Sequence, residues 1–159
     1  MNTLSYPKTI ILRHRRENLK KCSLRGLESR SDMAFYTYPT APLPPLEGYL
    51  LLTLDAPPLT LEDQPYGLFL IDGTWRHAMT MFSQLPKPHL FQCRSLPFHL
   101  KTAYPRRQED CLDPDRGLAS VEALYFAYQL LQRPTEGLLD TYHWKERLFQ
   151  KNTKFYTLT

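Results

Sequence analysis

Glycine is scarce, with 6 in 159 residues. No GxGxxG, Walker or GxSxG pattern occurs. That argues against a P-loop NTPase, a standard dinucleotide site and an α/β-hydrolase. Cysteine is scarce too. Cys22, Cys93 and Cys111 are odd in number, widely spaced and without a CxxC pair, so neither a zinc ribbon nor a disulfide framework is readable. His14, His77, His89, His99 and His143 show no HExxH or HxxxH spacing, and no metal is expected. No apolar run approaches the ~20 residues that a membrane helix needs. The short run Thr9 to Leu12 before Arg13 does not resemble a signal peptide, so the cytosol is the expected compartment.

Other features are plentiful. Proline occurs 14 times, which stiffens loops. Aromatics reach 13%, with 10 Tyr. Hydrophobic content of 42% and charged content of 23% fit a globular chain with a real core. The 20 Lys and Arg against 16 Asp and Glu leave a net charge of +4. The clustering matters more than that sum: Lys8 to Arg30 holds eight basic residues and two Glu. Arg106-Arg107 form a second pair, and Lys145, Arg147, Lys151 and Lys154 a third group. Basic clusters beside many aromatics suit nucleic-acid binding; a solvated face and core packing are the plainer account.

Hydrophobic patterning predicts strands over Lys8–Arg13, Met33–Tyr38, Tyr49–Leu54 and Gly67–Ile71, with another near Phe91–Leu96. The Gly67–Ile71 run is apolar throughout, as strands covered on both faces of a parallel sheet are. Asp72-Gly73 turns the chain. Thr74 is placed to cap a helix reaching about Gln84, with Trp75, Ala78, Met79 and Phe82 at helical spacing. Ser120 is placed to cap a second helix with an apolar stripe at Leu118, Val121, Leu124, Tyr128 and Leu131. A last amphipathic segment covers about Leu138 to Phe149, and Tyr104 to Arg116 reads as loop. Strands alternating with helices predict an α/β fold with a mostly parallel sheet.

Ligands of such sheets bind beyond the carboxyl ends of the strands. The Leu70-Ile71-Asp72-Gly73-Thr74-Trp75 junction is therefore the sharpest candidate site. The strand delivers Asp72 to the sheet edge, Gly73 permits the turn, and Thr74 opens a helix whose first amides suit an anion. A plain turn with a plain cap is the competing account on spacing alone.

The stretch Leu70-Ile71-Asp72-Gly73-Thr74-Trp75-Arg76-His77-Ala78 resembles the signature of the DTW-domain family. Ile11-Leu12-Arg13-His14-Arg15-Arg16-Glu17, followed by Lys21-Cys22-Ser23, resembles that family's opening strand and turn, with Arg15 where Pro is usual. Tyr104 to Arg107, followed by Gly117-Leu118-Ala119-Ser120-Val121-Glu122-Ala123, resembles its third block. The resemblance covers most of residues 9–133 in order. The family's cysteine-rich start is missing, so no zinc knuckle is expected and residues 1–159 read as one domain. Trp144, Phe149, Asn152 and Leu96-Pro97 look more like the related aminocarboxypropyltransferases of rRNA.

The resemblance implies a SPOUT-like α/β fold with a C-terminal trefoil knot, formed from about Ser95 through the helix after Ser120. It implies transfer of the 3-amino-3-carboxypropyl group of S-adenosylmethionine to N3 of a uridine in tRNA or rRNA; separately, a monomer is expected. Asp72 would be the base or orienting group for N3–H. Ser23, Leu54, Thr74, Leu96, Tyr104 and Ser120 would hold the cofactor. Arg13, Arg15, Arg16, Lys20, Lys21, Trp75, Arg76, Arg106 and Arg107 would contact RNA. A SPOUT-type methyltransferase, a non-catalytic RNA-binding domain and an α/β domain with a protein partner are the rival expectations.

Overall fold

Five short apolar segments build one sheet. In the computed structural model, which describes residues 6–19, 22–39, 42–85, 92–105 and 117–153, the strands are β1 (Thr9–His14), β2 (Met33–Tyr38), β3 (Tyr49–Leu52), β4 (Gly67–Asp72) and β5 (Gln92–Arg94). Their order is β2-β1-β4-β3-β5, and every pairing is parallel. Three α-helices accompany them: α1 (Trp75–Ser83), α2 (Ser120–Leu130) and α3 (Lys145–Lys151). The α/β class and the parallel sheet expected from the sequence are present.

Alternation along the strands divides the core into two layers. Ile11, Leu50, Leu68 and Leu70 face Val121, Leu124, Tyr125 and Tyr128 of α2. Ile10, Leu12, Leu51 and Phe69 face the other way, toward Met81 of α1 and Leu46. Both sheet faces are therefore covered, which is why β1 and β4 read as unbroken apolar runs. Arg133 closes the far end of α2, donating from Nη2 to the carbonyls of Gln64, at 3.0 Å, and of Tyr66, just before β4.

Three local expectations need correction. Ser120 does not cap α2. Ala119 holds the cap position, and its amide donates to Glu122 Oε1 at 2.8 Å. A long acidic side chain one turn on has replaced the cap hydroxyl, and Ser120 is released to point elsewhere. The last amphipathic segment is helical only from Lys145; Leu138 and Tyr142 sit in turns closed by amides donating to the carbonyls of Thr135 and Leu139. On α1 the buried residue is Met81, whereas Met79 and Phe82 are exposed. Met81 packs beside Gly73, where an added Cβ would lie 3.2 Å from its Cε and 3.3 Å from His77 Cβ. That close approach fixes which face of α1 meets the sheet.

Candidate active site at the carboxyl edge of the sheet

Parallel pairing sets Arg13 of β1 opposite Asp72 of β4, so both side chains leave the same face at the sheet's carboxyl edge. Asp72 is only 4% exposed and accepts three hydrogen bonds. Arg13 Nε (3.3 Å) and Cys22 Sγ (3.2 Å) donate to Oδ2, and Ser120 Oγ donates to Oδ1 at 2.6 Å. Arg13 also donates to Glu28 Oε1 at 3.2 Å and to Cys22 Sγ at 3.6 Å, and its guanidinium lies 4.7 Å from the Phe35 ring centre.

Burial, reinforced by the Asp72 charge, pushes the Cys22 thiol up to about 12. The thiol is therefore a proton donor at neutral pH and not a thiolate. Burial also raises the Glu17 carboxyl, with Asp72 adding to the effect. Glu17, Cys22 and Asp72 place one ligand-type atom each within 4.8 Å of one another. The Arg13 guanidinium already shares the Asp72 and Cys22 atoms of that group, and the thiol holds its proton.

Beside this cluster lies a cavity of about 220 Å³ beyond the ends of β3 and β4. Leu70, Ile71 and Gly73 form its floor, and Ser120 and Ala123 of α2 one wall. Thr53-Leu54, Leu96 to Phe98 and Trp75 with Ala78 of α1 form the rest of its rim. Leu54 and Phe98 are exposed, so the cavity opens to solvent there. The enclosed space is somewhat smaller than the ~300–1,000 Å³ common for ligand pockets, with the open mouth beyond it.

Of the residues expected to hold a cofactor, Leu54, Leu96 and Ser120 line this cavity. Ser23 lies one layer behind, its Oγ accepting the Val121 amide of α2 at 3.2 Å. Thr74 caps α1, accepting the His77 amide at 3.4 Å. Tyr104 packs against the core, its amide donating to Thr102 Oγ1 at 3.0 Å. Asp72 reaches the cavity wall through Ser120, which the sequence reading did not foresee.

Of the expected RNA contacts, Arg15, Arg16 and Arg76 are exposed, and Arg76 lies over the Trp75 ring at 5.8 Å. Arg13 is not part of that surface: at 8% exposure it is spent on Asp72 and Glu28, because β1 carries it into the buried face. Lys20, Lys21, Arg106 and Arg107 lie outside the described residues. Sequence reading missed Glu28, Cys22 and Phe98 as neighbours of the site. Their separation from Asp72 along the chain left no spacing to detect.

On the other face of the same edge, the rings of His14 and His77 stack at 3.8 Å with planes 6° apart. The Arg16 amide donates to His14 Nδ1 at 3.1 Å. Burial, then His77, then Arg15 and Arg16 lower the His14 pKa.

The chain resembles a solved structure, the SAM-dependent rRNA:acp-transferase Tsr3 from Vulcanisaeta distributa, with a TM-score of 0.73 over 94% of this chain and 80% of that one at 22% identity. At that identity the likeness concerns the fold. No curated protein matches the chain. The DTW domain matches residues 2–150, nearly the whole length, and the blocks around Arg13, Asp72 and Ser120 that converge at the cavity all fall inside that match. The chain belongs to the DTW-domain family.

Proposed function

We propose that this chain transfers the 3-amino-3-carboxypropyl group of S-adenosylmethionine to N3 of a uridine in tRNA, acting as a cytosolic monomer. The observation that carries the reading is the cavity at the end of β4, where Asp72 to Trp75 meets the start of α2 in a DTW-family chain. The neighbouring fold, described as a SAM-dependent rRNA:acp-transferase, supports the same chemistry. The same reading takes the fold as SPOUT-like, with the chain from Ser95 through α2 threaded as a trefoil knot; residues 106–116 of that segment lie outside the described residues.

The residues present fit such a cofactor. Leu54, Leu70 and Leu96 supply apolar surface suited to a purine, and Ser120 supplies a polar atom in the α2 wall. When bound, the cofactor supplies a sulfonium whose methionine γ-carbon is open to attack. Positioning that carbon rather than the methyl is a task of orientation, which can lower a barrier by several kcal/mol.

The chain's own groups handle the proton. Ser120 donates its one hydroxyl proton to Asp72. Its oxygen lone pairs are left for the cavity and accept an N–H, here the uracil N3–H. As N3 bonded to that γ-carbon and the carbon–sulfur electron pair left with the thioether, the N3 proton would pass to Ser120 Oγ while the Ser120 proton passed to Asp72 Oδ1. Arg13 holds Asp72 in place throughout. Asp72 thus serves as the base through Ser120, the first of the two roles expected from the sequence.

A second reading keeps the reaction and changes the substrate to rRNA. The rRNA:acp-transferase activity of the similar solved structure favours it. Nucleoside mass spectrometry of tRNA and rRNA from cells with and without this gene tests both. The proposal expects an aminocarboxypropyl-uridine to vanish from tRNA in the deleted strain. Its loss from rRNA alone selects the second reading, and loss of a methyl mark would point to a methyltransferase.

A further inference from the structure

Phe98 is 82% exposed, more than any other large apolar residue among those described. It stands on the chain after β5 and lines the cavity mouth. Its only ring contact among the described residues is an edge-on one to His99 at 6.1 Å. Trp75 lines the same cavity, and one turn along α1 stands Met79, 56% exposed. Leu54, 45% exposed, completes an apolar rim around a largely apolar cavity whose wall carries the Ser120 hydroxyl. A Phe ring left in water forgoes the stabilisation that burial yields, so such exposure beside a cavity marks a contact surface.

Charge at the same carboxyl edge of the sheet selects its occupant. Arg76 lies over Trp75 on the outer side, and Arg15 and Arg16 are exposed at the end of β1, in a chain of net charge +4. Flat apolar rings beside exposed guanidinium groups match unstacked nucleotides, whose bases stack on aromatics while the phosphates meet cations.

We propose that Phe98 is the substrate-contact residue that stacks on the target base at the cavity mouth, with Trp75 and Met79 supporting the adjacent nucleotide of a single-stranded RNA segment. This rests on the transfer reading for the identity of the site. The stacking itself is measured without turnover. Phe98 lies outside the hydrogen-bonded cluster of Asp72, Arg13, Cys22 and Ser120, so its loss leaves that cluster intact.

The test uses the full chain with two probes, a fluorescein-labelled oligouridylate for RNA and S-adenosylmethionine alone by calorimetry. Phe98→Ala is expected to weaken oligouridylate binding by roughly tenfold or more, the range found when a base loses its aromatic platform, and to leave cofactor affinity within about twofold. Phe98→Tyr is expected to restore RNA binding. Leu61→Ala, which removes an exposed apolar residue just before the opposite edge of the sheet, is expected to change neither. RNA binding unaffected by Phe98→Ala, or weakened equally by Leu61→Ala, would overturn the proposal. So would a loss of cofactor affinity in Phe98→Ala with RNA binding intact, which would make Phe98 part of the cofactor wall. Absence of cofactor binding in the wild type would instead sink the transfer reading and leave the stacking result standing.

Discussion

Cys22 and Asp72 share a site that water scarcely reaches. With its pKa near 12, the Cys22 thiol is protonated at neutral pH. Native protein treated with iodoacetamide at pH 8 should show Cys22 alkylated at least ~10 times more slowly than after unfolding, read by mass spectrometry of its peptide. Rapid native alkylation would contradict the bonding described here. Asp72→Asn tests the proton route at the same site. It keeps the size of the side chain, and Glu28 remains to pair Arg13. Transfer should fall by about 100-fold or more, within the range for losing a positioned proton acceptor, while calorimetry shows cofactor binding retained. Asp72 itself was legible in the sequence, because an apolar strand ending in Asp-Gly before a helix cap has few other readings. Its partners were not. Arg13, Cys22 and Ser120 reach it only through parallel β1–β4 pairing and the placement of α2, and neither has a local sequence signal.

Helix α2 shows how an element is anchored through one buried residue. Glu122 is fully buried and accepts four donors. The Ala119 amide (2.8 Å) and Thr102 hydroxyl (2.6 Å) reach Oε1; the Ala103 amide (2.8 Å) and Tyr142 hydroxyl (2.9 Å) reach Oε2. In the fold, Glu122 caps the helix and ties it to the chain after β5 and to Tyr142. Glu122→Gln brings an amide N–H₂ against donors, and Glu122→Ala leaves them buried and unpaired. Each should lower unfolding stability by about 2–4 kcal/mol in chemical denaturation. A loss under about 0.5 kcal/mol would show the network to be incidental. Helix α1 was placed nearly correctly because Thr74 caps it and helical spacing carries it toward Gln84, yet its buried face was not legible. Close packing at Gly73 turns Met81 inward and leaves Met79 and Phe82 outside.

At the scale of the whole molecule, the carboxyl edge gathers charge on one face and a histidine pair on the other. His14 has a lowered pKa in the folded chain, so the unfolded chain binds the proton more readily. Stability should therefore rise with pH through the region near 6.5 and be lost as pH falls below it. His14→Gln should flatten that part of the profile, followed by thermal unfolding between pH 5 and 8. An unchanged slope would remove His14 as its source. The parallel architecture was legible because both faces of β1 and β4 are covered and their sequences are apolar without interruption. The cavity was legible as a location beyond the strand ends, but not in its lining: Phe98 lies on a loop whose sequence carries no periodicity.

The central claim is the identity of the group transferred. Purified protein should be given S-adenosylmethionine labelled either in the carboxypropyl carbons or in the methyl, with tRNA and rRNA as acceptors. The account predicts label in RNA from the carboxypropyl carbons and none from the methyl, lost in Asp72→Asn. Methyl label in RNA, or no transfer from either position, would contradict it.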